Sequence, residues 1–316
     1  MSTPTVFAAG FLPPEALALL QQHGYGVQDY HNAADKPALL AQVAQDVRCL
    51  VATSHAPIDA ALIKALPALE QVSVYGMGYE KVDVAALRAR GIRLTNTPDV
   101  MVEDVADLGI ALVLTTVRRM ITADRFVRAG RCAREGMPFA HSVRGRALGI
   151  AGLGRIGREI ARRAEVFGMT VLYHNRGARS DVPYRYVDSL LQLARDCDVL
   201  LLCTPGGPET QRMVNAEVLQ ALGPQGTLIN IGRGSLVDEA ALVQALQDGT
   251  IAAAGLDVFD DLTRPPAALF DLDNVVLSPH RGSATFESRG AMAQLFFDNV
   301  AAWFAGTAPP TQVILP

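Results

Sequence analysis

The chain has 316 residues, half of them hydrophobic and 19% charged, with a formal net charge of −4. That length accommodates about two domains with cores of their own, and a charge balance of this kind excludes the basic surface that a nucleic-acid partner needs. The start, MSTPTVFAAGFLPPE, lacks a basic segment ahead of an apolar one, and the longest apolar stretch, near Leu108 to Val117, is too short for a bilayer. Neither a secretory signal nor a membrane span is therefore expected. Cys49, Cys132, Cys197 and Cys203 lack metal-ligand spacing, so no metal is expected, and free buried thiols in a reducing cytoplasm are the simplest account.

Apolar strands alternate with helical segments from the beginning. Strands are predicted at Pro4–Ala9, Arg48–Thr53, Leu69–Val74 and Ile92–Thr95, with helices at Pro13–Gln22, Asp59–Leu66 and Val82–Arg90. This is the pattern of a small parallel α/β unit. Asn96-Thr97-Pro98-Asp99 reads as a hinge, after which a long helix to about Arg118 carries the chain into a second unit. Later strands are predicted at Val199–Thr204, Thr227–Ile231, Ile251–Asp257 and Val275–Ser278, and a helix at Thr285–Phe304 returns to the first unit. The expected fold class is α/β, with two Rossmann-like parallel-sheet domains, one flavodoxin-like and one doubly wound, and a cleft between them. Residues 1–98 and 282–316 make one discontinuous domain and 99–281 the other.

The most informative stretch is ALGIAGLGRIGREIARRAEVFGMTVLYHNR, from Ala147 to Arg176. An apolar run leads into Gly152-Leu153-Gly154-Arg155-Ile156-Gly157, and Ile156, Ile160, Ala164 and Phe167 then recur at helical spacing. Gly152 permits the tight turn, Gly154 a close approach of pyrophosphate, and Gly157 the packing of helix on strand. The positive end of the helix, with its exposed N–H groups, holds the phosphates. In this strand–turn–helix context the motif predicts dinucleotide binding. An NAD site places an acid about 20 positions beyond the glycines, to bind the ribose 2′-OH. Here the second strand runs into His174-Asn175-Arg176 with no carboxylate at its tip, and Arg179 adds a second positive charge. A neutral amide and a guanidinium suit a 2′-phosphate, which favours NADP(H).

Two further residues fall at predicted strand ends, where open α/β sheets bind ligands. Arg233, in Asn230-Ile231-Gly232-Arg233-Gly234, has the geometry for a carboxylate. His280, after Val275–Pro279, can donate a proton near neutral pH. His55 follows a strand of the first domain and is a candidate substrate contact or a solvated loop histidine, while His141 reads as structural. Arg155, Arg158, Arg162 and Arg163 read as a solvated helix face, with Arg155 close enough to the glycine turn to touch pyrophosphate.

With these pieces in order, the chain resembles the D-isomer-specific 2-hydroxyacid dehydrogenases, in particular their glyoxylate/hydroxypyruvate reductase branch. The resemblance spans nearly the whole length: VYGMGYEKVD at 74–83, TNTPDVMVEDVADL at 95–108, GLGRIG at 152–157, TPGGPET at 204–210, NIGRGSLVDE at 230–239, AGLDVF at 254–259 and SPHRGSAT at 278–285. It implies Arg233 as substrate anchor, His280 as proton donor, substrate contacts from the backbone of Met77 and Gly78, and a nicotinamide contact from Asp257. Thr204, Pro205, Ile231, Gly232 and Gly282 are expected to line the cofactor beside Gly152, Leu153, Gly154, Arg155, Ile156, Gly157, Asn175 and Arg176. The resemblance also implies a homodimer built on the cofactor domain, with Met137 and Phe139 near a neighbouring subunit's substrate.

One position departs from the family pattern. The glutamate that accompanies the histidine falls five residues after the aspartate of LDVF, and here that position is Leu262, followed by Thr263 where proline is usual. Leucine can neither orient an imidazole nor stabilise its charge. Either Asp261 or Asp260 substitutes with a shorter reach, or both are solvated loop residues. The expected activity is NADPH-dependent reduction of small 2-oxo acids, glyoxylate or hydroxypyruvate, to D-2-hydroxy acids. The alternatives are a reductase of bulkier aromatic 2-oxo acids such as hydroxyphenylpyruvate, and a dinucleotide-sensing interaction protein resembling the C-terminal-binding-protein corepressors.

Overall fold

Nine short elements open the chain: β1 (Thr5–Ala8), α1 (Pro14–Gln22), β2 (Gly26–Asp29), α2 (Lys36–Val43), β3 (Cys49–Thr53), α3 (Ala60–Ala65), β4 (Gln71–Tyr75), α4 (Val84–Ala89) and β5 (Arg93–Thr95). The computed structural model describes residues 3–315. The five strands pair in parallel in the order β2-β1-β3-β4-β5, the flavodoxin-like arrangement. β3 and β4 are buried almost throughout because helices cover both sheet faces. Asp35, Asp59 and Asp83 start α2, α3 and α4 by accepting hydrogen bonds from the N–H groups of Ala38, Leu62 and Ala86. β2 and α2 lay outside the sequence expectations. GVQD is a half-exposed strand at the sheet edge, and only Val43 of α2 is buried, so neither carries a strong periodic signal.

The second set begins with α5 (Val102–Val117) and α6 (Met120–Arg128). Their junction is Arg119, in a left-handed conformation with φ 53°. Next come β6 (Ala147–Ala151), α7 (Arg155–Val166), β7 (Thr170–His174), β8 (Arg185–Tyr186), α8 (Leu190–Asp196), β9 (Val199–Leu202), α9 (Ala216–Leu222), β10 (Thr227–Asn230), α10 (Glu239–Gln247), β11 (Ala253–Leu256) and β12 (Val275–Leu277). These strands form a seven-stranded parallel sheet, β8-β7-β6-β9-β10-β11-β12. The order reverses direction between β6 and β9, which makes that crevice the topological switch point of a doubly wound sheet. A core of Leu193, Leu200, Leu202, Leu219, Leu228 and Leu242 packs one face of it.

The long helix α11 (Phe286–Phe304) rejoins the first sheet. Phe296 and Val300 are fully buried, and the Phe296 ring meets Tyr75 edge-on at 5.9 Å. Polar links fix the docking: Gln71 donates to the Asn299 carbonyl, and the Asn299 amide donates to the Asn96 carbonyl. The chain therefore divides into one unit running to Met101 and resuming at Thr285, and a second covering Val102–Ala284.

The four cysteines are free thiols, as expected, but Cys132 is exposed rather than buried. Of the α7 arginines expected as a solvated face, Arg155 and Arg162 are exposed and Arg158 is half-buried, whereas Arg163 departs from that face. Arg163 is only 18% exposed and bonds Glu103, Asp107 and Glu159, which ties α7 to α5. Among the described residues no helix is long and apolar enough to cross a membrane, and no cluster of three potential metal ligands occurs.

Candidate active site

The expected cofactor residues gather at one edge of the seven-stranded sheet, each just past the C-terminal end of a strand. Gly152 follows β6 with φ 102°, and a Cβ there would stand 2.8 Å from the Cys203 backbone and the Thr204 hydroxyl. A Cβ on Gly157 would stand 2.4 Å from the Gly152 carbonyl, so these two positions admit only glycine. Gly154 is different: it forms the N-cap of α7, offers no side chain to the first turn, and nothing lies within 4 Å of where its Cβ would be. The space over the helix start is open to a phosphate, as a dinucleotide requires. Thr204 closes the far side of the crevice by donating its hydroxyl to the Ala151 carbonyl at 2.9 Å.

The strand tip beyond β7 is more crowded than the sequence suggests. Asn175 accepts a hydrogen bond from the Leu153 N–H through Oδ1 at 2.7 Å, so its side chain braces the glycine loop. Arg176 is 96% exposed and lies 4.0 Å from Glu209, a residue of the TPGGPET stretch. Arg179 does not stand free as a second cation. It forms a bidentate pair with Asp181, which also takes Arg158, and together they hold the Asp181 carboxyl well below the usual carboxylate range. Two carboxylates, Asp181 and Glu209, thus reach a tip that looked free of acid. Neither had a local sequence signal, because each arrives through a turn.

Arg233 follows β10 in a loop with little freedom. The buried Asn230 side chain donates to the Arg233 carbonyl and accepts from the Gly232 N–H. A Cβ on Gly234 would overlap the Phe259 carbonyl carbon at 1.8 Å, so the loop presses directly on the chain beyond β11. Gly206 leaves room on the other side, with its notional Cβ 3.2 Å from Arg233 Cγ. The loop that carries Arg233 is therefore bracketed by the loops that follow β9 and β11.

Asp257, at 2% exposure, organises the segment that carries His280. Its Oδ1 accepts from Ser278 Oγ at 2.5 Å and from the Arg281 N–H at 2.7 Å, and its Oδ2 accepts from the Gly282 N–H at 3.0 Å. Its carbonyl also accepts from the His280 N–H at 2.8 Å. Burial pushes the Asp257 carboxyl up despite these donors. His280 sits at φ 54°, a left-handed conformation that a non-glycine residue holds only when its surroundings impose it, and this set of bonds does so.

Three carboxylates meet around the loop after Phe259: Glu239 at the start of α10, and Asp260 and Asp261 in the loop itself. Glu239, which the sequence reading passed over, accepts from the Asp260 N–H at 2.8 Å. Burial, with the like charges of Asp260 and Asp261, pushes its carboxyl up. Asp261 accepts from the Thr263 N–H and hydroxyl through Oδ1 and so caps its own turn, which holds its carboxyl low. Leu262 is 41% exposed.

In the first unit, Met77 and Gly78 lie in the loop after β4 and His55 in the loop after β3. Asn96 and Thr97, expected as a hinge, are buried and act as clamps. The Asn96 amide donates to the Met77 carbonyl at 2.7 Å, and the Gly76 N–H donates to Thr97 Oγ1 at 3.0 Å. Phe139, in an irregular stretch of the second unit, is fully exposed.

A glycine loop opening a helix at a switch point, with an arginine and a histidine at strand ends of the same sheet, defines a dinucleotide-linked enzyme. Residues 110–282 match the D-isomer specific 2-hydroxyacid dehydrogenase NAD-binding domain. The chain belongs to that family. It is 42% identical to glyoxylate/hydroxypyruvate reductase A of Arabidopsis thaliana over 285 residues, which is 90% of this chain and 91% of that one. It is 45% identical to hydroxyphenylpyruvate reductase of Plectranthus scutellarioides over 275 residues, 87% and 88% of the two chains. Among solved structures, the NADPH-dependent glyoxylate/hydroxypyruvate reductase of Sinorhizobium meliloti, in complex with NADP and malonate, superposes with a TM-score of 0.90 at 43% identity, covering 99% of this chain and 97% of that one.

Proposed function

We propose that the protein is an NADPH-dependent reductase of small 2-oxo acids, glyoxylate or hydroxypyruvate, giving the D-2-hydroxy acid where the product is chiral. The observation that carries this reading is the convergence of Arg233 and the Asp257-braced His280 segment on the sheet edge that bears the open glycine loop. A nicotinamide held at this sheet edge would supply the hydride for reduction of the substrate carbonyl. Arg233 holds the substrate carboxylate in a bidentate grip, with the backbone of Met77 and Gly78 and the His55 side chain as further substrate contacts. His280 donates a proton to the oxo oxygen as negative charge develops there. Asp257 keeps the His280 segment in register and, with Gly282, would contact the nicotinamide. Ile231, Gly232, Thr204 and Pro205 line the cofactor, with Gly152, Leu153, Gly154, Arg155, Ile156 and Gly157 at the pyrophosphate.

Arg176 is the cation for the 2′-phosphate, with Asn175 serving as a brace behind the loop. Asp261 is the candidate to support His280 once its turn at Thr263 opens. Residues 99–281 form the cofactor domain, and residues 1–98 with 282–316 the substrate domain. The protein works in the cytoplasm as a homodimer through its cofactor domain, and the exposed Phe139 segment is available for that contact.

The 45% identity to hydroxyphenylpyruvate reductase favours a second reading, reduction of aromatic 2-oxo acids. Oxidation of NADPH and NADH by the purified protein with glyoxylate, hydroxypyruvate, pyruvate and hydroxyphenylpyruvate distinguishes the two. Faster turnover of glyoxylate and hydroxypyruvate with NADPH is expected. Exclusive turnover of the aromatic acid would move the assignment to the second reading, and tight NADPH binding with no turnover would favour a dinucleotide sensor.

A further inference from the structure

The first unit contains a cavity of about 630 Å³, and of its lining only His55 has a role described so far. It lies at the C-terminal ends of β1, β2 and β3, and so includes the β1/β3 crevice where the 2-1-3-4-5 strand order reverses. That crevice is where open α/β sheets take ligands, and the volume falls within the ~300–1,000 Å³ typical of small-molecule sites.

Its lining has a definite chemistry. Lys36, His31 and His55 contribute cationic or protonatable groups, and Phe11, Tyr30 and Leu62 contribute apolar surface. Lys36 Nζ already stands over the Tyr30 ring, 5.5 Å from its centroid. The one carboxylate in the lining, Asp59, is engaged through Oδ1 with the Leu62 N–H at the start of α3. The walls are fixed by the backbone. The N–H groups of Tyr30 and His31 both donate to the Ala8 carbonyl at 3.1 Å, and the Tyr30 ring packs on the fully buried Phe7 at 5.0 Å. On the floor, a Cβ on Gly10 would stand 2.4 Å from Ala56 Cβ, so a glycine lets the loops after β1 and β3 meet.

We propose that this cavity binds a small carboxylate with a planar apolar body, an aryl-substituted acid. The carboxylate meets Lys36 and the imidazoles of His31 and His55, and the ring lies against Tyr30 and Phe11. The site is separate from the reductase chemistry. Met77 and Gly78 follow β4 and do not line it, and His55 is the one residue it shares with the expected substrate contacts.

The test is calorimetric titration of the NADPH-loaded chain with 4-hydroxyphenylacetate, which has no oxo group to reduce. Saturable binding of one molecule per chain is expected. Lys36→Gln should weaken it by at least about tenfold, and Ala61→Trp, which fills the cavity from α3, should abolish it. Glyoxylate reduction by both variants should match that of the parent chain. Absence of binding, binding unchanged in both variants, or competitive displacement by oxalate, an unreactive two-carbon acid, would each overturn the site. Binding that follows these substitutions in a protein with no reductase activity would uphold the site while removing the reductase reading.

Discussion

At the scale of single residues, the site combines positions with no freedom and one that breaks its pattern. Gly152, Gly157 and Gly234 are fixed by contacts that a single carbon would violate, and such constraints can be read from sequence because only one residue type meets them. The placement of Arg233 and His280 at strand ends was legible because each follows an apolar run of strand length, buried in β10 and partly exposed in the edge strand β12. Asn175 was not. Its role depends on the Leu153 N–H, 22 positions away, and nothing in the local sequence announces that contact. Leu262 is the exception to the pattern and can be tested directly. A carboxylate beside His280 stabilises the imidazolium, so the proton-donating form persists to higher pH. Leu262→Glu should therefore extend glyoxylate reduction on the alkaline side by about one pH unit, and a pH profile of kcat/KM checks it. An unchanged alkaline limb would mean that position 262 does not face the histidine.

At the scale of elements, strand ends supply the chemistry and helices supply the restraints. β2 and α2 were not legible, because their residues are exposed or weakly patterned and are held by the sheet edge and the Asp35 cap with little burial beyond Val43. Yet Tyr30 and His31 directly follow β2 and Lys36 opens α2, so the least legible part of the fold also frames the cavity of the first unit. The start of α10 permits a prediction with a definite sign. Burial raises the Glu239 carboxyl, so the folded chain holds that proton over a window where the unfolded chain, with a value near ~4.3, has lost it. The ionised form therefore costs stability, and the cost grows as pH rises through the window. Gln keeps the acceptor for the Asp260 N–H and removes the charge. Glu239→Gln should be more stable than the parent at pH 7 and equal to it near pH 4, as read by urea unfolding. The same offset at both pH values would refute the argument.

At the scale of the whole molecule, cofactor choice can be read without catalysis. A ligand that binds only the folded chain at 100 times its Kd stabilises it by about 2.7 kcal/mol. NADPH should therefore raise the thermal midpoint more than NADH at equal concentration, and Arg176→Ala should erase most of that difference. Equal shifts in the parent chain would mean that Arg176, paired only loosely with Glu209, does not select the phosphate. The division of the chain has a further consequence, for synthesis. Asn299, which donates to the Asn96 carbonyl, emerges from the ribosome 203 residues after it. The middle unit has all of its strands translated before α11 exists, whereas the first sheet must wait with Tyr75 and Gln71 uncovered. During translation the amino-terminal unit is thus the last to be finished, and it is there that a chaperone holding the nascent chain would have the longest interval to act.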